Sequence, residues 1–462
     1  MFNRRLMSKV VGVDSSTQSV KVVVRDLDSG ALIESASRPH PDGTEVSPES
    51  WWQALSEALA QLKSPFDAIA IAGQQHGMVA LDQTGSVIRD ALLWNDTRSD
   101  KSAEELNLEI PDIHHQTGSK LVASFTAAKV RWLADNEVAN AQKVAAIALP
   151  HDWLSWKLMG SENIEDLFTD RSDASGTGYF DSKANRYLRD IFQTAIRSDQ
   201  EVFLPKIIAP DAFGGKTANG IPIAAGAGDN AGAALGLGAE VGDLIISLGT
   251  SGTAFAVSNS STHDESGEVA GFADATGNFL PLACTLNAAK VFSRIADSLG
   301  VTFEKFSELA LSAPSGANGL RLLPHFDGER TPNRPNARGT FLGITHSNFT
   351  PENIARAAIE GVIGGMVFAA SALQRQGFKA SRVTLIGGAA RNPAVQEVAA
   401  EMFGTKIQLP PIGEYVADGA ARQAAWALTG KLPDWQLGEI KTIEPKRTSS
   451  VAKDYLELIS QI

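Results

Sequence analysis

Residues 9–26 read KVVGVDSSTQSVKVVVRD, and this stretch decides the fold. Two valine-rich runs flank the short polar segment SSTQS. Valine favours β-strands and small polar residues are typical of turns, so the stretch predicts a β-hairpin near the start of the chain. The same pattern returns at residues 243–257, where the apolar runs DLIISL and AFAV flank GTSGT.

The two hairpins open the two halves of the chain, which indicates an internal duplication. Further strands are predicted at 68–73, 144–150 and 383–388, and helices at 48–62 and 350–377. We therefore predict an α/β fold of two related domains, residues 8–238 and 239–435, followed by a helical segment at 436–462. A cleft between two such domains is the natural place for a ligand.

The composition of the chain excludes several classes of function. The chain has 462 residues and a net charge of −12, and it lacks the basic stripe that a nucleic-acid partner requires. No apolar run approaches the ~20 residues that span a bilayer, and residues 1–7 are expected to form a tail rather than a signal peptide. Cys284 is the only cysteine, which excludes disulfides and suits a reducing cytoplasm. A polyphosphate ligand would need local donors and a metal ion to offset the acidic charge.

Three polar segments are candidates for binding phosphate. GGKT (214–217) resembles a P-loop, but Pro210 stands where the first glycine is required, so a surface turn is the better interpretation. The turns at 14–19 and 249–253 offer consecutive amide N–H groups and hydroxyls, as anion-binding turns do, although each taken singly is typical of an ordinary hairpin. Two matched turns favour a shared phosphate site.

A strand, two glycines and a helix follow one another in LIGGAARNPAVQEVAAEMFG (385–404). Asn392 is expected to cap the helix, with Pro393 in its first position. The glycines would let the backbone approach a flat ligand closely, and a plain strand-to-helix turn is an equally good interpretation.

Asp229 lies in the segment GAGDNAG (226–232). The segment contains the G-x-G-x-x-A pattern of a dinucleotide loop, but it does not follow a domain's first strand and no acid ends the strand after it. A carboxylate on a glycine-flanked loop beside a cleft suits a general base instead. Asp229 would also fit as the cap of a helix at 230–238, and the two roles are compatible.

Two segments supply the side chains that a polyol needs. Gln75 and His76 end a predicted strand in AGQQHGM, and Trp94 and Asp96 lie in LLWNDTRSD. Several donors and acceptors beside one aromatic face suit a sugar. Taken alone, His76 is more typical of a satisfied structural histidine.

Taken in order along the chain, these segments resemble the FGGY family of carbohydrate kinases, whose two actin- and hexokinase-like (ribonuclease H-like) domains enclose a cleft. SFTAAKVRWLADN (124–136) and GTFLGITHSNFTPENIARAAIE (339–360) resemble the two family signatures. GAGDN, SLGTSG and LIGGAARN stand where the family has its base, its phosphate loop and its adenosine loop. The resemblance extends from about residue 9 to residue 430.

The resemblance implies a role for each candidate residue. Asp229 would take the proton from a sugar hydroxyl, and Asp14 would help to hold Mg2+. The other implied contacts are Gln75, His76, Trp94, Asp96 and Asn230 with the sugar, Ser16, Thr17, Gly249, Thr250, Ser251 and Gly252 with the phosphates, and Gly387, Gly388 and Asn392 with the adenosine. Two positions depart from the family pattern, because Ser16 replaces a common glycine and Ala389 replaces a third glycine of the adenosine loop.

The implied reaction is phosphorylation of a small sugar by ATP with Mg2+. Glycerol kinases carry an Arg-Glu pair where His76 and Gly77 stand, which favours a ketose. D-Xylulose is the expected substrate and D-xylulose 5-phosphate the expected product, with ribulose, fuculose or glycerol as the alternatives. A catalytically idle nucleotide and sugar sensor, or an actin-like assembly protein, is the alternative from another class. The protein is expected in the cytoplasm, without nucleic-acid or membrane partners, and a homodimer is one expected assembly.

Overall fold

The computed structural model describes residues 8–447 and 450–461 of the chain. The tail expected at residues 1–7 lies outside the described residues. The description therefore begins with the first valine-rich run of the opening hairpin.

The first half of the chain forms a seven-stranded sheet, several two-stranded ribbons and the helices around them. Its strands are β1 Lys9–Ser15, β2 Ser19–Asp26, β3 Leu32–Pro39, β4 Glu45–Val46, β5 Ala68–Gly73, β6 Val79–Leu81, β7 Ala91–Leu92, β8 Ala146–Ala148, β9 Phe168–Thr169, β10 Phe180–Asp181, β11 Arg186–Tyr187, β12 Lys206–Ile207, β13 Phe213–Lys216, β14 Pro222–Ala224 and β15 Ala227–Gly228. Its helices are α1 Pro48–Leu59, α2 Asp100–Glu109, α3 Ile113–Thr117, α4 Thr126–Asn136, α5 Val138–Ala141, α6 Pro150–Met159, α7 Arg171–Ala174, α8 Arg189–Ile196 and α9 Asp229–Gly236, with 3-10 turns at Ile164–Asp166 and Ser175–Thr177.

The first sheet has the order β13–β14–β5–β1–β2–β3, and β15 also pairs with β5. The predicted hairpin is confirmed, because β1 and β2 are antiparallel with Val13 opposite Val22. On its other side β1 runs parallel to β5. Successive side chains of a strand point to opposite faces, and here both faces are buried: Val10 packs in one apolar cluster, and Val11 and Val13 pack in another.

The second half of the chain repeats this design. Its strands are β16 Asp243–Leu248, β17 Gly252–Ala256, β18 Ala270–Ala273, β19 Phe279–Thr285, β20 Arg321–Leu323, β21 Thr340–Leu342, β22 Arg382–Ile386, β23 Ile407–Leu409 and β24 Lys441–Ile443. Its helices are α10 Ala289–Leu299, α11 Phe303–Ser312, α12 Pro351–Arg375, α13 Pro393–Phe403, α14 Tyr415–Thr429 and α15 Val451–Gln461, with 3-10 turns at Ala317–Gly319 and Gly388–Arg391.

The second sheet has the order β18–β19–β17–β16–β22–β23–β24. Its opening hairpin, β16 with β17, is antiparallel, and β22 runs parallel to β16 on the other side. The first sheet has the same arrangement, with β5 in the place of β22. The predicted duplication is therefore visible in the topology of the two sheets.

Two helix starts follow the predicted capping chemistry. Thr350 precedes α12, and its hydroxyl oxygen accepts the Asn353 N–H at 3.4 Å. Asn392 precedes α13, and its side-chain oxygen accepts the Ala394 N–H at 2.9 Å. By length and composition α12 would be able to cross a bilayer, but 78% of its apolar window is buried inside the protein, as in the core helix of a soluble domain.

Some segments differ from their predictions. The segment at 436–462 was expected to be helical, but it contains β24 before α15. GGKT was expected to form a surface turn, but its first three residues belong to β13, an edge strand antiparallel to β14. Gly214 and Gly215 pass so close to neighbouring side chains that a Cβ would collide with Phe168 at the first position and with Met159 at the second. The glycines therefore serve close packing of an edge strand rather than a turn.

Helix α14 follows the second sheet in the chain but packs on the first one. It lies against β1, β5 and α9. A Cβ at Gly12 of β1 would collide with the backbone oxygen of Ala417, and a Cβ at Gly419 would collide with that of Gly232. Small residues thus allow α14 to approach both the central strand and the helix that begins at Asp229.

Candidate active site

The candidate residues of the first half gather at one edge of its sheet. Strands β1, β5 and β15 are parallel neighbours, and Asp14 and Ala227 are both paired with Ala72. Asp229 follows β15 directly. Adjacent strands lie ~4.8 Å apart, so Asp14 and the strand end that carries Asp229 are separated by about two such spacings, roughly 10 Å.

Asp229 is the first residue of α9, and Gly228 occupies the cap position. The prediction that Asp229 caps the helix is therefore wrong, because the helix begins one residue earlier than expected. Its Oδ1 accepts both the backbone N–H and the side-chain Nδ2 of Asn230, each at 2.7 Å. The residue is only partly exposed. Desolvation by burial, followed by the negative charge of Asp14, raises its pKa to about 7.

Asp14 lies one residue before the end of β1, and only 4% of its surface is exposed. The hydroxyl of Ser16 donates a hydrogen bond to its Oδ1. Desolvation raises the pKa of Asp14 to about 6, against the lowering effects of Ser16 and Lys21, and the charge of Glu414 adds to the rise. Asp14 is consequently a carboxylate for the most part at neutral pH and a proton acceptor in mild acid.

Gln75 and His76 lie beside this edge. A Cβ at Gly228 would lie 2.7 Å from Cγ of Gln75, so the Gln75 side chain packs on the backbone that leads to Asp229. Nδ1 of His76 lies 2.6 Å from the carbonyl oxygen of Gly176 and so carries a proton. Burial lowers the pKa of His76 to about 3, so the ring is neutral and its Nε2 is an acceptor.

The aromatic and acidic candidates of the next loop have partners within the protein. The indole N–H of Trp94 donates to the Thr17 hydroxyl at 2.8 Å, which joins the predicted sugar and phosphate segments. The Oδ1 of Asp96 accepts the backbone N–H and the Nε of Arg98 at 3.0 and 2.8 Å, and its Oδ2 accepts the Thr44 hydroxyl at 2.8 Å. Both carboxylate oxygens of Asp96 thus accept hydrogen bonds from the protein, and these bonds order the loop that contains Asp96.

The candidate nucleotide loops adjoin at one edge of the second sheet. The loop from Gly249 to Ser251 follows β16, Gly387 and Gly388 follow β22, and Ser247 pairs with Ile386 in the parallel ladder. Gly387 has a φ of +94°, and a Cβ there would lie 2.6 Å from the carbonyl oxygen of Leu248. Gly388 is exposed, and a Cβ there would meet nothing within 4 Å.

Asn392 is buried and is held by hydrogen bonds within the protein. It is 5% exposed, and its side-chain oxygen caps α13 and accepts the Ser307 hydroxyl at 2.8 Å. Ala389, in the place of the family's third glycine, is buried. The exposed part of this loop therefore consists of Gly387, Gly388 and Arg391, and only the two glycines leave the backbone itself open.

The side chain of Asp229 lies within electrostatic range of the second half. Burial raises the pKa of the Cys284 thiol, and the negative charge of Asp229 contributes to the rise. Cys284 precedes Thr285 on β19, and Thr285 pairs with Gly252. The carboxylate of the first half therefore lies near the strand that flanks the 249–252 loop of the second half.

Two cations at this junction were given no role from the sequence. Arg330 belongs to the second half, and its Nη2 donates to the Ser124 hydroxyl of the first half at 3.3 Å. Lys129 is fully buried, and its Nζ donates to the carbonyl oxygens of Ala123, at 3.1 Å, and Ser124. Desolvation lowers the pKa of Lys129 to about 7.

A buried acidic cluster behind the site was also missed. His151, Asp152 and Asp173 each offer a ligand atom, and these atoms lie within 4.8 Å of one another. Burial lowers the pKa of His151, but Asp152, Asp173 and Asp170 raise it to about 10. These groups form a buried ion cluster, and the imidazole would have to release a proton before it could bind a metal ion. The only sequence signal was the presence of charged residues directly after apolar runs, in LPHDWL and LFTDRSD.

Comparison with known protein families matches both halves of the chain. Residues 9–236 match the N-terminal domain of the FGGY family of carbohydrate kinases, and residues 244–428 match its C-terminal domain. The chain is 41% identical over 441 residues to a xylulose kinase of Streptomyces coelicolor, covering 91% of this chain and 88% of that protein. It is 32% identical over 443 residues to a xylulose kinase of Escherichia coli, covering 90% and 89%.

Solved structures show the same relationship. The crystal structure of xylulose kinase from Bifidobacterium adolescentis has a TM-score of 0.91 and 42% sequence identity, over 98% of this chain and 100% of that one. Plasmodium falciparum glycerol kinase with ADP has a TM-score of 0.85 at 20% identity, over 98% and 97%, and shares the fold alone. The two-domain actin- and hexokinase-like fold expected from the sequence is confirmed.

Proposed function

Because the chain belongs to the FGGY family of carbohydrate kinases, we propose that it transfers the γ-phosphoryl group of ATP to D-xylulose and releases ADP and D-xylulose 5-phosphate. The relatives that it resembles over nine-tenths of its length are xylulose kinases. The single observation that carries the proposal is the position of Asp229, which follows a strand end next to Asp14 and lies within electrostatic range of Cys284 in the second half, with a pKa of about 7.

Asp229 acts as the general base in this proposal. Phosphoryl transfer to a hydroxyl requires the hydroxyl proton to leave as the new P–O bond forms. A base serves best when its pKa lies near the working pH, because it is then largely deprotonated and still accepts a proton readily. The pKa of about 7 meets this condition, whereas an ordinary surface aspartate would be a much weaker base.

The sugar would lie against Gln75, His76 and Asn230. The neutral Nε2 of His76 is an acceptor for a sugar hydroxyl, and Trp94 supplies an aromatic surface beside the Thr17 turn. Asn230 holds the carboxylate of Asp229 through two hydrogen bonds and so fixes its direction. These groups would orient one terminal hydroxyl toward Asp229, which lowers the entropic cost of the reaction.

The nucleotide would bind along the edge of the second sheet. Amide groups of the Gly249–Gly252 loop, together with Ser16 and Thr17, would face the phosphates, and the exposed Gly387 and Gly388 would let the adenosine approach the backbone. The chain carries a net charge of −12, so phosphate binding needs cations as well as amide groups. Closure of the two halves would keep water from attacking the γ-phosphoryl group.

Asp14 fits a role in holding Mg2+. Magnesium prefers oxygen ligands and is usually held by one or two carboxylates together with substrate phosphates. Asp14 offers a buried carboxylate with the Ser16 hydroxyl beside it, at the same strand edge as Asp229. When bound with ATP, Mg2+ would neutralise charge on the phosphates.

A panel of sugars tests the substrate. Release of ADP would be followed in a coupled assay with D-xylulose, ribulose, fuculose and glycerol, each at several concentrations. We expect the highest kcat/KM with D-xylulose. A higher kcat/KM with another sugar would assign the chain to a sister activity of the same family. ATP-dependent polymerisation without sugar phosphorylation would support an actin-like assembly protein instead.

The setting of the reaction is part of the proposal. A lone cysteine suits a reducing cytoplasm, and the acidic charge suits small-molecule substrates rather than nucleic acid.

A homodimer is one assembly that we expect. Light scattering on the eluted protein would measure its mass, and a monomer at working concentrations would contradict that expectation.

A further inference from the structure

A buried cation lies directly behind the proposed site, and the proposed chemistry makes no use of it. His151 of α6 has no exposed surface. Its Nδ1 lies 2.6 Å from Oδ2 of Asp173, and its Nε2 lies 3.3 Å from the carbonyl oxygen of Ala225. A carboxylate and a carbonyl are both acceptors, so each ring nitrogen carries a proton and the imidazole is positively charged.

The short helix α7 connects Asp173, one partner of His151, to the proposed site. Asp173 bonds to the imidazole, and the neighbouring Ser172 bonds to the site. The Ser172 hydroxyl accepts the Gly228 N–H at 3.1 Å, and the Ser172 carbonyl oxygen accepts Nε2 of Gln75 at 3.2 Å. Gly228 is the residue before Asp229, so α7 holds both the proposed base and a proposed sugar ligand.

The other partner of His151 belongs to the segment that leads into β15. Ala225 supplies the carbonyl oxygen, and a Cβ at Gly226 would lie 2.5 Å from Cδ2 of the ring. The imidazole therefore packs directly against the backbone that continues into Gly228 and Asp229. The buried side chain of His151 thus contacts both α7 and the segment that leads into β15, and these two segments hold the backbone before Asp229.

We propose that His151 is a positioning residue for phosphoryl transfer, acting through Asp173 and Ala225 on the backbone before Asp229 and on the side chain of Gln75. The inference rests on the proposed role of Asp229 as the base.

The positive charge of His151 among three acidic side chains is the physical reason for this positioning role. Asp152, Asp170 and Asp173 surround the imidazole at 3.3, 4.0 and 2.6 Å, and all are buried. Removing one partner from a buried ion pair leaves the others uncompensated. Without the cation, Asp173 would lose the donor at its Oδ2, and the buried carboxyl groups of α7 and α6 would repel one another or take up protons. Either change alters the packing of α7 and so displaces its contacts with the site.

The test begins with His151→Gln in the full-length protein. The variant removes the charge and at most one hydrogen bond. We expect kcat to fall about 10- to 100-fold, because small displacements of reacting groups have effects of this size. We expect the KM for D-xylulose to rise through Gln75, while the KM for ATP stays within about twofold because the nucleotide edge belongs to the second sheet. A purely structural role would lower only the amount of folded enzyme and would leave both KM values unchanged.

Ser172→Ala is the second variant, because a buried charge substitution is at risk of misfolding. It keeps every charge of the ion cluster and removes the hydroxyl that accepts the Gly228 N–H and also bonds to Asp170. We expect a smaller loss of kcat, about 5- to 10-fold, with Tm lowered by at most a few degrees because the buried Gly228 N–H loses its acceptor. Ser155→Ala is the matched control: Ser155 lies one turn beyond His151 on α6, is fully buried, and has a hydroxyl without a hydrogen-bond partner among the described residues. It should keep wild-type kinetics.

The outcomes separate this inference from the proposed function. Wild-type kcat and KM for D-xylulose in folded His151→Gln would overturn the inference. If that variant does not fold, unchanged kinetics in Ser172→Ala would overturn it. Near-normal turnover in Asp229→Asn would instead contradict the proposed base, whatever the other variants do.

Discussion

Asp14, near the end of β1, and Asp229, directly after β15, lie on either side of β5, and the charge of Asp14 adds to the rise in the pKa of Asp229 that burial causes. Burial raises the pKa of both carboxyl groups, to about 6 at Asp14 and about 7 at Asp229. Asp14, with the Ser16 hydroxyl beside it, suits a metal ligand, and Asp229, at the start of α9, suits proton transfer. The arrangement divides the proposed chemistry between two residues of the same type.

Asp229→Asn should abolish most turnover while leaving both substrates bound. The amide has the shape of the carboxylate but cannot take a proton, so we expect kcat to fall about 10²- to 10⁴-fold. Steady-state release of ADP measures turnover, and calorimetric titration with D-xylulose and with ATP measures binding. Asp100→Asn is a matched control, because Asp100 is also the first residue of a helix and is exposed. Turnover within about threefold of wild type in Asp229→Asn would exclude this residue as the base.

The same substitution should stabilise the protein at neutral pH. The folded pKa of Asp229 is about 7, above the ~3.9 of an unfolded aspartate, so the folded state keeps a proton that the unfolded state releases between these values. Its contribution to stability is therefore full in acid and is lost as pH rises toward 7. We expect Asp229→Asn to raise Tm at about pH 8 by roughly 2 °C, allowing for solvent screening at a partly exposed group. Thermal melts at several pH values would show the gain shrinking in acid, and a lower Tm at about pH 8 would contradict this.

Turnover should also depend on pH through Asp229. The base must be deprotonated, so kcat/KM for the sugar should reach a plateau above about pH 7 and fall up to tenfold per pH unit below it. His76 should not contribute to this profile, because burial lowers its pKa to about 3. A pH profile measured with saturating ATP provides the check. A flat profile between about pH 5 and pH 8 would mean that no group with this pKa takes part.

His76→Asn should weaken sugar binding with little effect on the fold. Asparagine tolerates the left-handed backbone at this position, where φ is +69°, and its Nδ2 can keep the hydrogen bond to Gly176. The acceptor at Nε2 is lost. We expect the KM for D-xylulose to rise about tenfold, as for one lost hydrogen bond, with the KM for ATP unchanged. An unchanged KM for D-xylulose in folded protein would show that His76 is a structural histidine only.

Gly388→Leu should interfere with ATP and not with the sugar. Gly388 is exposed, and a Cβ there meets nothing within 4 Å, so a side chain would be accommodated by the protein but would occupy the proposed adenosine space. We expect the KM for ATP to rise at least about tenfold. Gly365→Leu is the control, because a Cβ at Gly365 of α12 also meets nothing within 4 Å. Equal effects of the two substitutions on the KM for ATP would argue against a nucleotide at Gly388.

The local sequence was sufficient to predict the hairpins and the starts of α12 and α13. Valine-rich runs around SSTQS specify β1 and β2 without reference to the rest of the chain. The cap at Asn392 depends on a residue and its next neighbours along the chain, so it is equally visible. The placement of Asp14 at a strand end also follows from the local pattern, because the strand stops where small polar residues begin.

Contacts between distant segments could not be predicted in this way. The pairing of His151 with Asp173 depends on how α6 and α7 pack, and charged residues after apolar runs are usually solvated. Arg330 and Ser124, which form a hydrogen bond, are 206 positions apart in the sequence. The start of α9 was predicted one residue late, since the cap at Gly228 has no side chain to signal it.

The return of α14 to the first sheet has a consequence for engineering the gene. An expression product that stops near residue 238 would lack the helix whose alanines cover β1 and β5, and it would expose that apolar surface to water. A product that starts there would carry the same helix with nothing to pack on. Split versions of this protein should therefore become soluble only when both fragments are produced together, and exchange of one half with that of a relative should carry α14 along with the first half.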